Sequence, residues 1–259
     1  MKDSGKRLRL VTIPISHFCE KARWALDRAS LDYAEEGHLQ ALHRRASLAA
    51  GGTGQVPVLV TGDGHAVPDS TAILRWVDER LPESRRLYPD GALGVEVAEL
   101  AAHLDEPFGS DTRLWAYHWF LPDPRLAVGN LMRTRTIPLA QRAIVPLVLP
   151  LISLFVRRRY SIDSQSARAA EQRFVAVLDE VAERISDGRP FLLGDRLSAA
   201  DVTFAALSSP ISLPPEYGSP IATLDDLPPR ARRRMEPLHG HPACEFARGL
   251  YRRERGVRR

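Results

Sequence analysis

Cysteine is nearly absent: the 259 residues hold two, Cys19 and Cys244, far apart in the chain. Two such thiols cannot build a framework of several disulfides, so a small disulfide-stapled scaffold is excluded and a reducing compartment, by default the cytoplasm, is expected. Lysine is also scarce, with 3 Lys against 33 Arg, a skew more often set by genomic base composition than by function. The formal net charge of +4 is mild. No nucleic-acid module signature appears, nor any interleaving of basic with aromatic residues, and nucleic acid is not expected as a partner. The basic start, Met1 to Arg7, precedes an apolar run that is soon broken by His17, Glu20 and Lys21, unlike a signal peptide. His239 and His241 have no further ligands at metal spacing, so no metal is expected. His17 lacks a carboxylate to orient it, which argues against a serine-hydrolase triad.

What the chain does contain is ordinary for a soluble globular protein: 44% hydrophobic and 26% charged residues, enough for one large or two modest domains. Leu8 to Ile13 reads as a short buried strand closed by Pro14. Phe18, Ala22, Ala25, Leu26 and Ala29 recur at helical spacing and predict a helix from about His17 to Ser30, with Lys21, Asp27 and Arg28 on its wet side. A weak strand follows at Asp32 to Glu36, then a loop or short helix through Gly54. Val56 to Val60 and His65 to Val67 read as a hairpin around Thr61-Gly62-Asp63-Gly64. Ser70 opens a helix with Ile73, Leu74, Val77 and Leu81 on one face, ended by Pro82. This succession is the thioredoxin topology, and Pro82 to Pro89 reads as a linker.

Beyond Gly91 only helical patterns stand out. Leu93 to Trp119 predicts one long helix with a break at Pro107-Phe108-Gly109, and Ala167 to Ser186 predicts another with Phe174, Val177, Leu178, Val181 and Ile185 on its face. Ser198 and Asp201 form a capping box for a further helix, with Leu197 and Val202 at the staple positions. Residues 143–156 are almost entirely apolar and run into Arg157-Arg158-Arg159. With 14 residues and two prolines, this stretch falls short of the roughly 20 apolar residues that span a bilayer. Three readings stay open for it: a buried helix in an enlarged core, a wall of a substrate pocket, or an interfacial segment leaning on anionic lipid.

Gln55-Val56-Pro57, Asp69-Ser70, the strand leading into Ser16-His17-Phe18-Cys19, and the later run Phe191 to Phe204 together resemble the soluble glutathione S-transferase superfamily, serine-type or of a class not otherwise placed. The resemblance implies an α/β thioredoxin-like N-terminal domain at 1–83 and an all-α C-terminal domain at 90–259, enlarged by an apolar insertion around 121–161. It also implies glutathione as co-substrate, a small-molecule electrophile as second substrate, and a homodimer. In that family the residue before a cis-proline offers its backbone to the cysteinyl part of glutathione, here Val56 before Pro57. Asp69 and Ser70, where helix N–H groups and the helix dipole favour an anion, would hold the γ-glutamyl end, and Gln55 is a weaker contact. The family usually has Glu or Gln where this chain has Asp69. His38 and His43 fall in the segment that often meets the glycine end.

A thiol transferase must hold its cofactor as thiolate, the nucleophilic form. The first tyrosine is Tyr33, past the strand-helix junction, so a tyrosine donor is not expected. Aligned on Arg23, Ser16 falls where serine-type members place the stabilising hydroxyl; it would also serve simply as a helix cap. Cys19 is the rival, able to form a mixed disulfide if its pKa is lowered. Trp115, Tyr117, His118 and Trp119 lie on the helix that lines the electrophile site in this family, or are core. The reading is a cytoplasmic glutathione transferase acting on an apolar electrophile. Its alternatives are a non-catalytic binding or regulatory protein working through the insertion, and a Cys19-dependent thiol-disulfide or deglutathionylating enzyme. The native thiol stays open between glutathione and a related small thiol.

Overall fold

The computed structural model describes residues 7–255. The basic opening of the chain, read above for targeting, and the outer ends of both expected domains lie outside the described residues. Four short strands form one mixed sheet: β1 (Leu8–Thr12), β2 (Tyr33–Gly37), β3 (Val58–Val60) and β4 (Ala66–Pro68), in the order β2-β1-β3-β4. β1 runs parallel to β2 and antiparallel to β3, and β3 is antiparallel to β4. The parallel pair needs a crossover, supplied by α1 (His17–Arg28). α2 (His43–Ala49) lies between β2 and β3, and α3 (Ser70–Asp78) follows β4. This is the α/β thioredoxin-like half. β3 starts at Val58, later than the apolar run at Val56, because Pro57 has no N–H to give to the ladder.

The rest is helical: α4 (Ala92–Asp105), α5 (Phe108–Phe120), α6 (Pro124–Arg133), α7 (Leu139–Arg159), α8 (Ser164–Arg184), α9 (Ala199–Ser212), α10 (Pro229–His239) and α11 (Pro242–Glu254). The expected helix from Leu93 to Trp119 is in fact two. Pro107 lacks an N–H and pushes the residue before it out of helical geometry, and Glu106 is accordingly extended at φ −137° and ψ 133°. α9 is the hub of the molecule, buried along nearly its whole length and packed by α1, α4, α5 and α11. Its many Ala, Ser and Thr residues let four neighbours approach closely. Its start is fixed by Asp201, which accepts the Ser198 N–H (2.8 Å), the Ser198 hydroxyl (2.7 Å) and the Leu192 N–H (2.7 Å). Burial nevertheless pushes the Asp201 carboxyl up to about 6.

On α1 the apolar stripe is as expected, with Ala22, Ala25 and Leu26 fully buried. The wet side is not. Lys21 is 1% exposed, its ammonium bonded to Thr71 Oγ1 (2.7 Å) and to Asp105 Oδ1 (2.6 Å). Asp27 is drawn in as well, by Arg255 Nη1 at 2.8 Å. Glu20, fully buried, takes Arg23 Nε at 2.9 Å, Arg255 Nε at 2.8 Å and the Gly218 N–H at 3.1 Å. Arg23 continues to Glu35 Oε1 of β2 (2.8 Å) and the Pro14 carbonyl (2.8 Å). Amphipathic periodicity assumes that charge means solvent. Here paired charges fill the seam between the two halves.

α7 departs furthest from expectation. It has 21 residues, and only Val145, Leu149 and Val156 are buried. The core reading of residues 143–156 is therefore corrected: the helix is seated by one narrow stripe. Gln141 at its start accepts the Leu39 N–H (3.1 Å) and approaches His38 Nδ1 (3.1 Å). Leu39, Ile137 and Val145 form a small separate apolar cluster that clamps the insertion to the loop after β2.

Burial alone would raise the Glu20 carboxyl, but Arg255 and Arg23 more than offset it and hold it below its ordinary value of 4.5. The stabilisation that Arg255 brings is thus complete above that pH and fades as the carboxylate is protonated below it. Arg255→Ala should cost about 3 kcal/mol near neutral pH, because it leaves a buried carboxylate short of a partner. Urea unfolding against pH should show the deficit narrowing once the solution falls below 4.5.

Candidate active site

Register alone assembles the site. Val11 of β1 pairs with Val58 of β3, and Val58 with Pro68 of β4. The exit of β1, the entry of β3 and the exit of β4 therefore lie at one end of the sheet, and the chain segments attached there carry the expected residues. Beyond β1 comes Ser16, at the N-terminus of α1. Before β3 comes Val56-Pro57, whose peptide bond is cis. After β4 come Asp69 and Ser70, where α3 begins. The Asp69 N–H donates to the Pro57 carbonyl at 3.1 Å, which ties the last two segments together.

Each of these residues has a definite environment. Ser16 is half-buried, has extended backbone at φ −75° and ψ 124°, and its hydroxyl caps no N–H of α1. Asp69 has φ 75°, in the left-handed region, and its Oδ1 accepts the N–H groups of Thr71 (2.7 Å) and Ala72 (3.2 Å). It caps α3 itself. The Ser70 hydroxyl, by contrast, is buried and has no hydrogen-bond partner among the described residues. An unmatched buried hydroxyl costs about 1–3 kcal/mol. Gln55 is exposed, and its carbonyl accepts from Ser47 Oγ at 2.6 Å.

Cys19 sits in the first turn of α1 with no exposure at all. Burial pushes its thiol up to about 11, although Arg23 and hydrogen bonds from Ile13 and Ser16 pull the other way. A sealed, protonated thiol is a poor nucleophile. The expectation that Cys19 acts on a disulfide is corrected on that ground. Cys244 is likewise enclosed, and its thiol is raised to about 12 by burial. His17 is a structural residue: its Nε2 lies 2.7 Å from the Gly109 carbonyl, and burial first, then Arg113, lowers it to about 3.

Ser16 also lines an apolar cavity of about 140 Å³ between the two halves of the molecule. That is the size that accepts a single aromatic ring. Its walls come from Ile13 and Ile15 before α1, Leu39, Phe120 and Ala116 of α5, Leu149 and Ile152 of α7, and Leu213 after α9. The pocket-wall reading of the insertion thus holds for one side of α7. The polar exceptions are Ser16, Gln40, Arg113 and Tyr117 among a few others. Burial raises the Tyr117 hydroxyl to about 12 and keeps it a neutral phenol, although the hydrogen bond it accepts from Gln40 Nε2 pulls the other way. Arg113, which sequence reasoning missed, stands over the rings of Phe18 (5.5 Å) and Tyr160 (4.8 Å). Its position in the second turn of α5 was legible in principle, since Arg113, Tyr117 and Phe120 share one face of that helix at helical spacing.

Two parts of the expectation do not come together. Gln55, Val56, Pro57, Asp69 and Ser70 do not line this cavity. Of the aromatic set, only Tyr117 faces it. Trp115 is core, with Nε1 donating to Glu171 Oε2 at 2.9 Å, and His118 and Trp119 turn to a separate surface cleft beside Arg230.

Residues 10–85 match the family described as glutathione S-transferase, N-terminal domain, and residues 164–233 match glutathione S-transferase, C-terminal domain. The chain belongs to the soluble glutathione S-transferase superfamily. The two matches leave between them residues 86–163, the stretch of this transferase-superfamily chain that carries α4 to α7. A glutathione S-transferase from Rhodospirillum rubrum F11 is 26% identical, with a TM-score of 0.54 over 93% of this chain and 91% of that one. A glutathione S-transferase from Methylobacterium radiotolerans JCM 2831, solved with glutathione sulfonate, is 18% identical, with a TM-score of 0.56 over 98% and 97%. A beta-etherase from Sphingobium sp. strain SYK-6 is 17% identical, with a TM-score of 0.60 over 93% and 98%. A comparison with proteins of curated function returns no match.

Because both thiols are enclosed and raised by burial, native protein should react with a thiol reagent such as dithiobis(nitrobenzoate) at least about a hundredfold more slowly than free cysteine. Both should become reactive on denaturation. Rapid labelling of Cys19 in the native state would restore it as a candidate nucleophile.

Proposed function

We propose that this protein is a glutathione transferase of the serine type, joining the thiol of glutathione or a related small thiol to an apolar electrophile. The observation that carries the reading is the placement of Ser16, which lies at the N-terminus of α1 with a hydroxyl that caps nothing and borders the apolar cavity. A sulfur beside that hydroxyl meets a hydrogen-bond donor and the positive end of a helix dipole, both of which favour thiolate. Arg113 in the same cavity adds a positive charge.

The peptide of the thiol would rest at the sheet end, along Val56, with its γ-glutamyl carboxylate at the start of α3. There the Ser70 hydroxyl has no other partner and Lys21 supplies a nearby cation through Thr71. Asp69 already caps α3 with one oxygen, which leaves its second oxygen for a ligand ammonium. The electrophile would enter the cavity, whose volume selects an acceptor group about the size of one ring. Two enclosed, reduced cysteines suit a cytoplasmic location.

Ser16→Ala should lower turnover tenfold or more, a loss of about 1.4 kcal/mol of transition-state stabilisation, while calorimetric titration with glutathione stays nearly unchanged. Ser70→Ala should do the reverse, weakening glutathione binding by about tenfold with little effect on saturated turnover. Unchanged turnover in Ser16→Ala would remove that hydroxyl from the mechanism. Titration of other small thiols alongside glutathione identifies the native one.

A further inference from the structure

Among the described residues, most of the exposed large hydrophobic side chains lie on α7. Leu147 is 79% exposed, Leu151 68%, Leu154 46% and Phe155 51%, and Leu139 and Ile144 are exposed on the same helix. Positions 147, 151, 154 and 158 follow one another at helical spacing, so Arg158 continues the apolar stripe. Leu151, Leu154 and Phe155 border a single shallow cleft with Arg158 and Arg159. Scattered exposed leucines need no explanation, but a contiguous patch of them marks a contact surface.

Charge says which contact. Residues 121–161 hold seven arginines against the single carboxylate of Asp123, an excess larger than the +4 carried by the whole chain. Arg157, Arg158 and Arg159 are all exposed. A second copy of this face would bring another arginine cluster with no acidic groups to meet it. A phospholipid surface offers what the face lacks on both counts, acyl chains for the leucines and phosphates for the arginines.

We infer that α7 is an in-plane docking helix, which sinks Leu147, Leu151, Leu154 and Phe155 into an anionic phospholipid bilayer while Arg157 to Arg159 hold the headgroups. The helix is long and apolar enough to span, with 21 residues and a mean hydropathy of 1.9 over its most apolar 18-residue stretch. Yet Val145, Leu149 and Val156 seat its other side in the fold, and Leu149 and Ile152 wall the cavity. Spanning would tear that stripe out, whereas lying flat leaves it in place. Docked so, the cavity is one helix away from the lipid. The docking does not depend on the proposed transferase activity.

The full-length protein should co-sediment with phosphatidylcholine vesicles that contain phosphatidylglycerol, and about tenfold less with phosphatidylcholine alone. High salt should release it. Leu147→Ser combined with Leu151→Ser should lower partitioning about tenfold, and so should Arg157→Gln combined with Arg158→Gln. All four side chains are exposed, so circular dichroism and sedimentation velocity should match the parent. The lipid and salt arms use the unaltered protein and stand even if a variant folds poorly. Absence of sedimentation with phosphatidylglycerol vesicles would overturn the inference. So would retention in high salt, indifference to the leucine changes, or a dimer that those changes split while vesicle binding persists.

Discussion

One buried carboxylate sets the geometry of the molecule. Glu20 lies in the first turn of α1, out of reach of water, and an unpaired charge there would cost several kcal/mol. It is retained because Arg23, Arg255 and the Gly218 N–H all converge on it. Two of these three donors come from the far end of the chain. Satisfying Glu20 therefore requires the end of α11 and the loop after α9 to lie against α1, which fixes the sheet half on the helical half. Ser16 is one turn upstream, its carbonyl accepting the Glu20 N–H at 2.9 Å. The position of that hydroxyl relative to the cavity follows from the same pairing.

The site then divides by chemistry along the domain seam. Polar groups gather at the sheet end, because strand register brings the starts of α1 and α3 and the turn at Pro57 together. Apolar groups gather on the helical side, because α5, α7 and the end of α9 turn their packed faces toward one another. Ser16 touches both regions, and this suits a reaction between a polar thiol peptide and an apolar acceptor. Lys21, expected in solvent, instead links α1, α3 and α4 through Thr71 and Asp105. It carries a positive charge to the edge of the polar region.

The insertion shows where one-dimensional reading stops. An apolar run that ends in three arginines is equally good as core, wall or surface, since periodicity registers a face without saying what covers it. In the fold α7 has two apolar faces with different fates. A thin stripe of Val145, Leu149, Ile152 and Val156 meets protein or cavity, and the broader side meets solvent. Its seating depends on Leu39, whose N–H reaches Gln141 from a distant part of the chain and which carries no local signal of that contact.

The amino-acid sequence by itself determined what depends on neighbours along the chain. The order of strands and helices in the sheet half, the start of α9 at Ser198 and Asp201, and the grouping of Val56-Pro57 with Asp69-Ser70 around a short hairpin are all of this kind. Backbone propensity, capping and turn chemistry act over a few residues, so a few residues reveal them. Only the tertiary structure decided that Cys19 is sealed and inert, that Trp115 is core while Arg113 faces the cavity, that Lys21 and Glu20 are buried, and that α7 is largely exposed. Each of those outcomes depends on which distant segment supplies the partner or takes the solvent away, and burial and charge pairing are properties of the packed chain rather than of any stretch of it.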